Sequence, residues 1–225
     1  MKNTFIVITI LLLSVNGFSQ KVFETETFFG VKAGGNISGI YADPSIDQKI
    51  YNGQTLGIVF RHTSEKSLGI QIELNYKQSG WNESLDSTNI YKRGLDFIEL
   101  PFMTHINFGI QKTRLTLNFG PYVSYLLSEE EEIRLLEGFE ERRYYGQNTN
   151  NKVGFGLSLG FGISRHTSIG VFQLESRVSA SLTNSFSNTT DSYFFSSQIL
   201  NAELSLIYML EHKTLKKLIK SLINI

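Results

Sequence analysis

The sequence contains no cysteine, which excludes disulfide bonds and a lipid-modified cysteine behind an export signal. It also lacks a long apolar run. A helix that spans a bilayer needs about 20 consecutive apolar residues, and no stretch of the sequence provides them. Neither charge predominates, since 21 basic residues stand against 21 acidic ones. This balance argues against a nucleic-acid partner, which would require a basic surface.

The first residues have the pattern of a secretory signal peptide. Lys2 precedes a short apolar stretch over residues 5–13, and the small residues Gly17 and Ser19 suit a cleavage site. We therefore predict a signal peptide at residues 1–19. An N-terminal membrane anchor is the alternative, although the apolar stretch is short for one. The rest of the chain, with 20 basic and 21 acidic residues, is expected to form one domain.

Eight later segments alternate apolar and polar residues, which is the period of a β-strand with two different faces. The third is the clearest, because every second residue from Leu68 to Tyr76 is apolar or aromatic and the residues between are Gly, Gln, Glu and Asn. A shift of one residue would exchange the two faces, so the register is well defined. The predicted strands cover about residues 29–38, 55–61, 68–77, 98–108, 115–125, 153–164, 172–180 and 200–208.

The connections between these segments alternate in length. Short turns near residues 64, 110 and 166 alternate with long polar connections, the longest at about 128–151. A bacterial outer-membrane barrel has short periplasmic turns and long external loops, whereas a soluble sandwich or lipocalin-like barrel has no such bias. We therefore predict an all-β fold, an eight-stranded antiparallel up-and-down transmembrane β-barrel at residues 20–210, in the cell outer membrane with both termini in the periplasm.

Three short segments carry a family resemblance. They are residues 30–36 (GVKAGGN), 97–102 (FIELPF) and 117–122 (LNFGPY), and they fall in the first, fourth and fifth predicted strands. On these segments the chain resembles the outer-membrane β-barrel proteins of Gram-negative bacteria called PorT-like or porin-family. The resemblance implies an eight-stranded barrel and does not imply a pore; one relative takes part in a protein-secretion system. Unlike the usual barrel ending, this chain continues past Tyr208 with a basic tail.

Charged side chains lie on the polar face of the strands, which would face the barrel interior. An eight-stranded barrel is only wide enough for its own side chains, so groups of opposite charge are expected to pair there. This favours a salt-bridged plug that closes the lumen, and a polar conduit or gate is the alternative. The residues are Lys32, Arg61, Glu73, Lys77, Glu99, Glu175, Arg177 and Glu203.

No group of residues indicates catalysis, a metal or a cofactor. The four histidines lack metal-ligand spacing, and no Ser, His and Asp meet at one strand end. Gly154, Gly156, Gly160 and Gly162 have even spacing on one strand face without a following helix, so they do not predict a nucleotide-binding loop. A crowded lumen explains these glycines better. We expect a protein that is not an enzyme and has no cofactor.

Two segments outside the predicted strands concentrate charge. The acidic run at residues 129–132 is either a solvated face or a site for divalent cations, and the apolar residues after it form either a short helix that caps the barrel or a partner surface. The tail at residues 211–225 has apolar residues at helical spacing. This predicts a basic amphipathic helix on the membrane surface, and packing on a periplasmic turn or fraying is the alternative. Its lysines are Lys213, Lys216, Lys217 and Lys220.

The favoured function is that of a non-enzymatic barrel with a closed lumen, which has a structural role or binds partners or ligands through its outer loops. Outer-membrane lipid and other envelope proteins are the expected partners. The alternatives are a narrow, porin-like channel or transporter for small polar solutes, and a component of a protein-secretion system. A soluble ligand-binding calycin is a more remote alternative.

Overall fold

The computed structural model describes residues 24–83, 85, 89–109, 112–136, 141–186, 193–214 and 216, so the predicted signal peptide and the tail residues Lys217 and Lys220 lie outside the described part. Residues 212–214 and 216 are helical, and no helix among the described residues is long and apolar enough to cross a membrane. The described strands are β1 (Glu26–Asp43), β2 (Gln48–Lys49), β3 (Tyr51–Thr63), β4 (Leu68–Glu83), β5 (Ile90–Phe108), β6 (Thr113–Arg134), β7 (Val153–Thr167), β8 (Gly170–Ser181) and β9 (Ser196–Glu211).

The strands close into a ring. Each long strand pairs antiparallel with the next one in the chain, and β9 returns to pair with β1 from Phe28↔Glu211 to Asp43↔Ser196. The two-residue strand β2 is an addition that pairs with β4. The predicted eight-stranded up-and-down barrel is thereby confirmed for the part of the chain that the structure describes.

The two faces of the wall have the polarity expected in a membrane. Val31 points outward and is 58% exposed, whereas its neighbour Lys32 points inward and is 3% exposed. Outward aromatic residues meet across strands, as Phe29 and Phe60 do with ring centroids 5.1 Å apart. Because large apolar side chains cover the outside and polar ones fill the middle of the interior, the barrel requires an apolar environment around it.

Several strands are longer than predicted. The alternation predicted about ten residues per strand, which suffices to cross a bilayer, but β5 has 19 residues and β6 has 22. The predicted loop at 128–151 therefore begins too early, because residues 128–134 still belong to β6 and pair with β5 up to Ile90↔Arg134. Beyond the membrane the outward residues need not be apolar, so the alternation that marks a strand disappears while the backbone pairing continues.

Gly156 shows how tightly the interior is packed. A Cβ atom at this position would collide with the ring of Tyr122 and the carbonyl oxygen of Ala180, whereas a Cβ at Gly35 would meet nothing nearer than 4.0 Å. We expect Gly156→Ala to lower the free energy of unfolding by about 1–3 kcal/mol, because Tyr122 must leave its position. Gly35→Ala is the matched control and should be neutral. Urea unfolding in lipid vesicles measures both, and equal stability of the two variants would contradict this close packing.

Candidate functional site in the barrel interior and its loop-end cap

The two ends of the barrel differ. We call the end with residues 26 and 211 and the tight turns at 64–67 and 168–169 the termini end, and the opposite one the loop end. At the termini end the interior is closed by a buried apolar layer, in which Ile207 and Met209 are fully inaccessible to solvent. The other members of this layer are Phe28, Val59 and Val171. The sequence did not single out this layer, since its members interrupt the polar face of their strands.

A chain of buried ion pairs fills the middle of the barrel. Lys77 pairs with Glu99 at 3.2 Å and with Glu203 at 3.5 Å, and Lys32 pairs with Glu203 at 2.7 Å. The chain continues from Lys32 to Glu73 at 3.1 Å. Charges therefore alternate along this part of the chain, and every carboxylate in it lies next to a cation.

Arg177 extends the chain across the lumen. Its guanidinium contacts Glu73 at 2.6 Å and Glu175 at 2.5 Å, and these carboxylates come from opposite sides of the barrel wall, β4 and β8. The contact gives both carboxylates a cationic partner in a place where water is excluded. A buried charge requires such a partner. Gly160 makes room for this contact, because a Cβ there would lie 3.0 Å from Glu175 Oε1.

Arg61 is the one predicted member that bonds to the chain indirectly. Its guanidinium donates to the side-chain oxygens of Gln71, at 2.8 Å from Nε, and Gln173, at 2.7 Å. The amide of Gln71 in turn donates to Glu73 at 2.5 Å, and that of Gln173 donates to Glu175 at 2.8 Å. The structure thus brings all eight predicted lumen charges into one buried network of four cations and four carboxylates. Arg61 is linked to two of these carboxylates, Glu73 and Glu175, through the two glutamines.

A second cluster, which the sequence did not predict, closes the loop end. Its centre is Arg93, which is fully buried and forms ion pairs with Glu129 and, at 2.5 Å, with Glu131. Arg93 Nη1 also donates to the carbonyl oxygen of Gln147 at 2.8 Å, which fixes residues 141–149 over the barrel mouth. We refer to residues 141–149 as the cap segment.

A bulge in β6 makes the Arg93 contacts possible. The β5–β6 register changes between Asp96 and Phe97, so Leu127 is an extra residue on β6. Before the bulge the even-numbered residues of β6 face inward, and after it Glu129 and Glu131 do. An inserted residue of this kind exchanges the two faces of a strand. The acidic run is therefore a solvated surface only in part, because two of its four carboxylates, those of Glu129 and Glu131, bind the internal Arg93.

Aromatic side chains complete the cap. Tyr144 of the cap segment is 1% exposed and packs against Tyr91, Phe186 and Phe194, with ring centroids 5.7, 6.0 and 4.7 Å away. The Arg93 guanidinium lies 5.5 Å from the ring of Trp81, close enough for a cation–π contact. The surrounding apolar residues make this a continuous hydrophobic core above the charge network. The helix that the sequence allowed over this mouth is not present among the described residues of the connection, in which residues 133 and 134 continue β6 and residues 143–146 form turns.

Glu83, the last residue of β4, holds the other side of the cap segment. Its carboxylate accepts hydrogen bonds from the hydroxyl groups of Tyr144 and, at 2.8 Å, Tyr145, and Arg142 lies 3.5 Å away. Burial raises the pKa of the Glu83 carboxyl above its usual value, although the hydrogen bond from Tyr145 and the charge of Arg142 oppose this. A carboxyl with a higher pKa in the closed cap than in the open one binds more protons when the cap is closed.

The stability of the cap should therefore depend on pH through Glu83. Its contribution is largest below the pKa of the open state and falls as the pH rises through the pKa of the closed state. Acidification from about pH 7 to about pH 4.5 should make this contribution more favourable, and Glu83→Gln should abolish that change. Hydrogen exchange of the cap-segment amides, corrected for intrinsic rates, measures the effect, with exposed Glu65→Gln as control. A wild-type cap that opens more readily in acid, with Glu83→Gln unaffected, would contradict this sign.

The remaining candidate groups form no reaction centre in the described part of the chain. His105 is buried between Asn118 and Asn107, at 2.6 and 2.9 Å, which is a structural arrangement of neutral partners. No group of three or more His, Asp or Glu side chains in the described residues is placed to hold a metal ion. Of the tail lysines, Lys213 and Lys216 are described and exposed, and Lys213 forms an ion pair with Glu24.

The chain belongs to the family described as outer membrane protein beta-barrel domain, whose sequence model matches residues 18–187. Together with the closed ring and the apolar outer face, this membership identifies an outer-membrane β-barrel protein, and it confirms the predicted location. The match ends before β9, the strand that closes the ring. No curated protein is recognisably similar to the chain in sequence.

Several solved structures resemble the fold at low sequence identity. Outer membrane protein OprG from Pseudomonas aeruginosa is 10% identical, with a TM-score of 0.47, and the alignment covers 83% of this chain and 93% of that one. Neisserial surface protein A is 11% identical, with a TM-score of 0.42 and coverage of 81% and 96%. Ail, the attachment invasion locus protein of Yersinia pestis, is 12% identical, with a TM-score of 0.39 and coverage of 82% and 99%.

Proposed function

We propose that this protein is a closed, non-enzymatic outer-membrane barrel that acts through the surface of its loop end, which faces the outside of the cell. The observation that carries the proposal is the filled interior. An apolar layer, the buried ion-pair network and the aromatic cap follow one another along the lumen. Side chains of the wall form the first two layers and the cap segment helps to form the third, so we expect no continuous water-filled path for a solute through the described residues.

The loop end offers a surface for contacts with other molecules. Contacts with Arg93 and Glu83 hold the cap segment in place, and apolar side chains remain exposed around it, among them Phe195 at 76% and Leu136 at 60%. Exposed apolar side chains on a rigid support are typical of surfaces that bind a protein partner or an organic ligand. A specific role in protein secretion, which the PorT-like resemblance suggests, would also use this end or the termini end as a docking surface.

Conductance measurements test the closed lumen. Purified protein in planar bilayers should give no stable single-channel steps, whereas a general porin measured in the same bilayers should give them. Steady steps from the wild-type protein would overturn the closed-barrel function in favour of the narrow channel.

Accessibility on intact cells tests the orientation and the partner surface. An epitope inserted after Leu136, at the loop end, should bind antibody on whole cells, and the same epitope after Lys66, in a turn of the termini end, should bind only after lysis. Crosslinking from Phe195 in native membranes, compared with crosslinking from Lys66, then identifies the partner. Labelling of the Lys66 epitope on intact cells would contradict the proposed orientation.

A further inference from the structure

The outward face of the barrel carries a recess of about 750 Å³ near the connection between β1 and β3. Its floor consists of two adjoining rows of outward residues that run across five neighbouring strands. Residues within a row are register partners on successive strands. One row is Ile37, Ala202, Val178, Leu159 and Phe119, and the other contains Gly39, Leu200, Ala180 and Leu157.

Small side chains produce the recess. Ala180 and Ala202 leave space between large outward residues such as Leu157 and Phe119, and Gly39 makes room for the side chain of Gln48, since a Cβ there would lie 2.8 Å from Gln48 Oε1. Neighbouring strands lie about 4.8 Å apart, so a groove across five strands is about 19 Å long. This groove runs around the wall and obliquely to the membrane normal, because the strands are tilted, and its apolar lining and volume of about 750 Å³ suit a lipid acyl chain that lies against the wall.

A fixed segment, residues 48–50, forms the upper edge of the recess. The side-chain amide of Gln48 bonds to the backbone of Ile40 in both directions, since Nε2 donates to the carbonyl oxygen at 2.5 Å and Oε1 accepts from the amide at 2.9 Å. Asn82 Nδ2 donates to the carbonyl oxygen of Ile50 at 3.0 Å. Beyond Ser38, where the pairing of β1 with β3 ends, Gln48 thus bonds to the free side of the β1 backbone and holds the edge of the recess in place.

Two lysines, Lys49 and Lys92, place positive charges at this edge, and Glu132, the register partner of Lys92 on β6, pairs with Arg134. Lys49 lines the recess and also a second cavity of about 360 Å³, which Asn82 and Lys92 line as well. Both lysines are exposed, and in the described residues neither has a carboxylate within 4.0 Å. Lys92 Nζ lies 5.5 Å from the ring centroid of Tyr51. Glu83 borders the second cavity, but its carboxylate is occupied by the hydroxyl groups of the cap.

We propose that this surface binds one anionic lipid, with an acyl chain in the recess and a phosphate head group between Lys49 and Lys92. An apolar groove and two exposed ammonium groups, which have no carboxylate partner among the described residues, meet at Lys49, and an anionic amphiphile is the ligand class that satisfies both at once. The site lies on the lipid-facing side of the wall, so it does not depend on the closed lumen or on the loop-end partner.

Native mass spectrometry of the full-length protein in detergent tests this site. With phosphatidylglycerol added, one lipid should stay bound, and with phosphatidylcholine of the same chains it should not. Lys49→Ala with Lys92→Ala should weaken phosphatidylglycerol binding about thirtyfold, because each lysine near an anionic head group contributes roughly a factor of five. Ala180→Leu should also weaken it, since a leucine fills the groove.

Matched variants distinguish this site from the general lipid coat. Ala33→Leu places the same leucine on the outer face away from the recess, and Lys66→Ala removes an exposed lysine at the termini end; both should bind like wild type. All variants are first checked for heat-modifiable gel migration, which reports the folded barrel. Equal retention of the two lipids, or equal losses in Ala33→Leu and Ala180→Leu, would overturn the proposal.

Discussion

Arg177→Met should destabilise the barrel by about 3–5 kcal/mol, because it removes one partner of a buried charge cluster and leaves the others in place. Arg177 is 1% exposed and contacts both Glu73 and Glu175. Without it Glu175 retains only amide donors, from Asn118 and Gln173. The interior would then carry one uncompensated negative charge where water is excluded.

The expected loss is measured by urea titration of the barrel in lipid vesicles, with heat-modifiable gel migration as the signal. Arg165→Met is the matched control, since this exposed arginine on the neighbouring strand β7 donates one side-chain hydrogen bond within the described residues, to Thr113 at 3.5 Å, and its loss should cost little. If Arg177→Met and Arg165→Met unfold at the same urea concentration, the ion-pair chain does not stabilise the lumen.

A double variant separates charge balance from lost contacts. Arg177→Met with Glu175→Gln leaves Lys32, Lys77 and Arg61 against Glu73, Glu99 and Glu203, so the interior is neutral again. It should be more stable than Arg177→Met alone, although it has lost one more charged group. A further loss of stability in the double variant would mean that packing around Arg177, and not its charge, decides the effect.

Arg93→Met should open the cap while the barrel remains folded. The guanidinium joins Glu129 and Glu131 of β6 to the backbone of the cap segment, and truncation of such a buried pair costs about 3–5 kcal/mol. Since about 1.4 kcal/mol corresponds to a factor of ten, cleavage from the opened state should accelerate by about 100-fold or more. Trypsin cleavage after Arg143, in the cap segment, measures the rate.

The single tryptophan provides a second readout. Trp81 lies beside Arg93 in the cap, so its emission should shift to longer wavelength when water enters. Arg134→Met is the control, because Arg134 is 70% exposed and pairs with Glu132 at the surface, where an ion pair contributes about 0–1 kcal/mol. If both variants show the cleavage rate and emission of the wild type, Arg93 does not hold the cap closed.

The lumen charges and the cap differ in how far the sequence predicted them. Lys32 and Glu73 each lie between two apolar residues, and Arg177 lies between Ser176 and Val178 in an alternating strand, so their inward position follows from the pattern around them. Arg93 continues the same alternation along β5, as do Tyr91 and Leu95. This continued alternation was the feature of the sequence from which the inward position of Arg93 could have been predicted. It was weak because the outward residues there, such as Lys92 and Gly94, are no longer apolar.

The sequence by itself determined the barrel and, within most strands, which residues face the lipid and which face the lumen. Period-two alternation between a lipid-facing and a lumen-facing side is a local property, and each strand carries it independently. The ion-pair partners, the bulge at Leu127 that turns Glu129 and Glu131 towards Arg93, and the seating of Tyr144 in an aromatic core were decided by the tertiary structure. These contacts join residues far apart in the chain, and their geometry arises only once the ring has closed and the strand tilt brings the side chains to the same height.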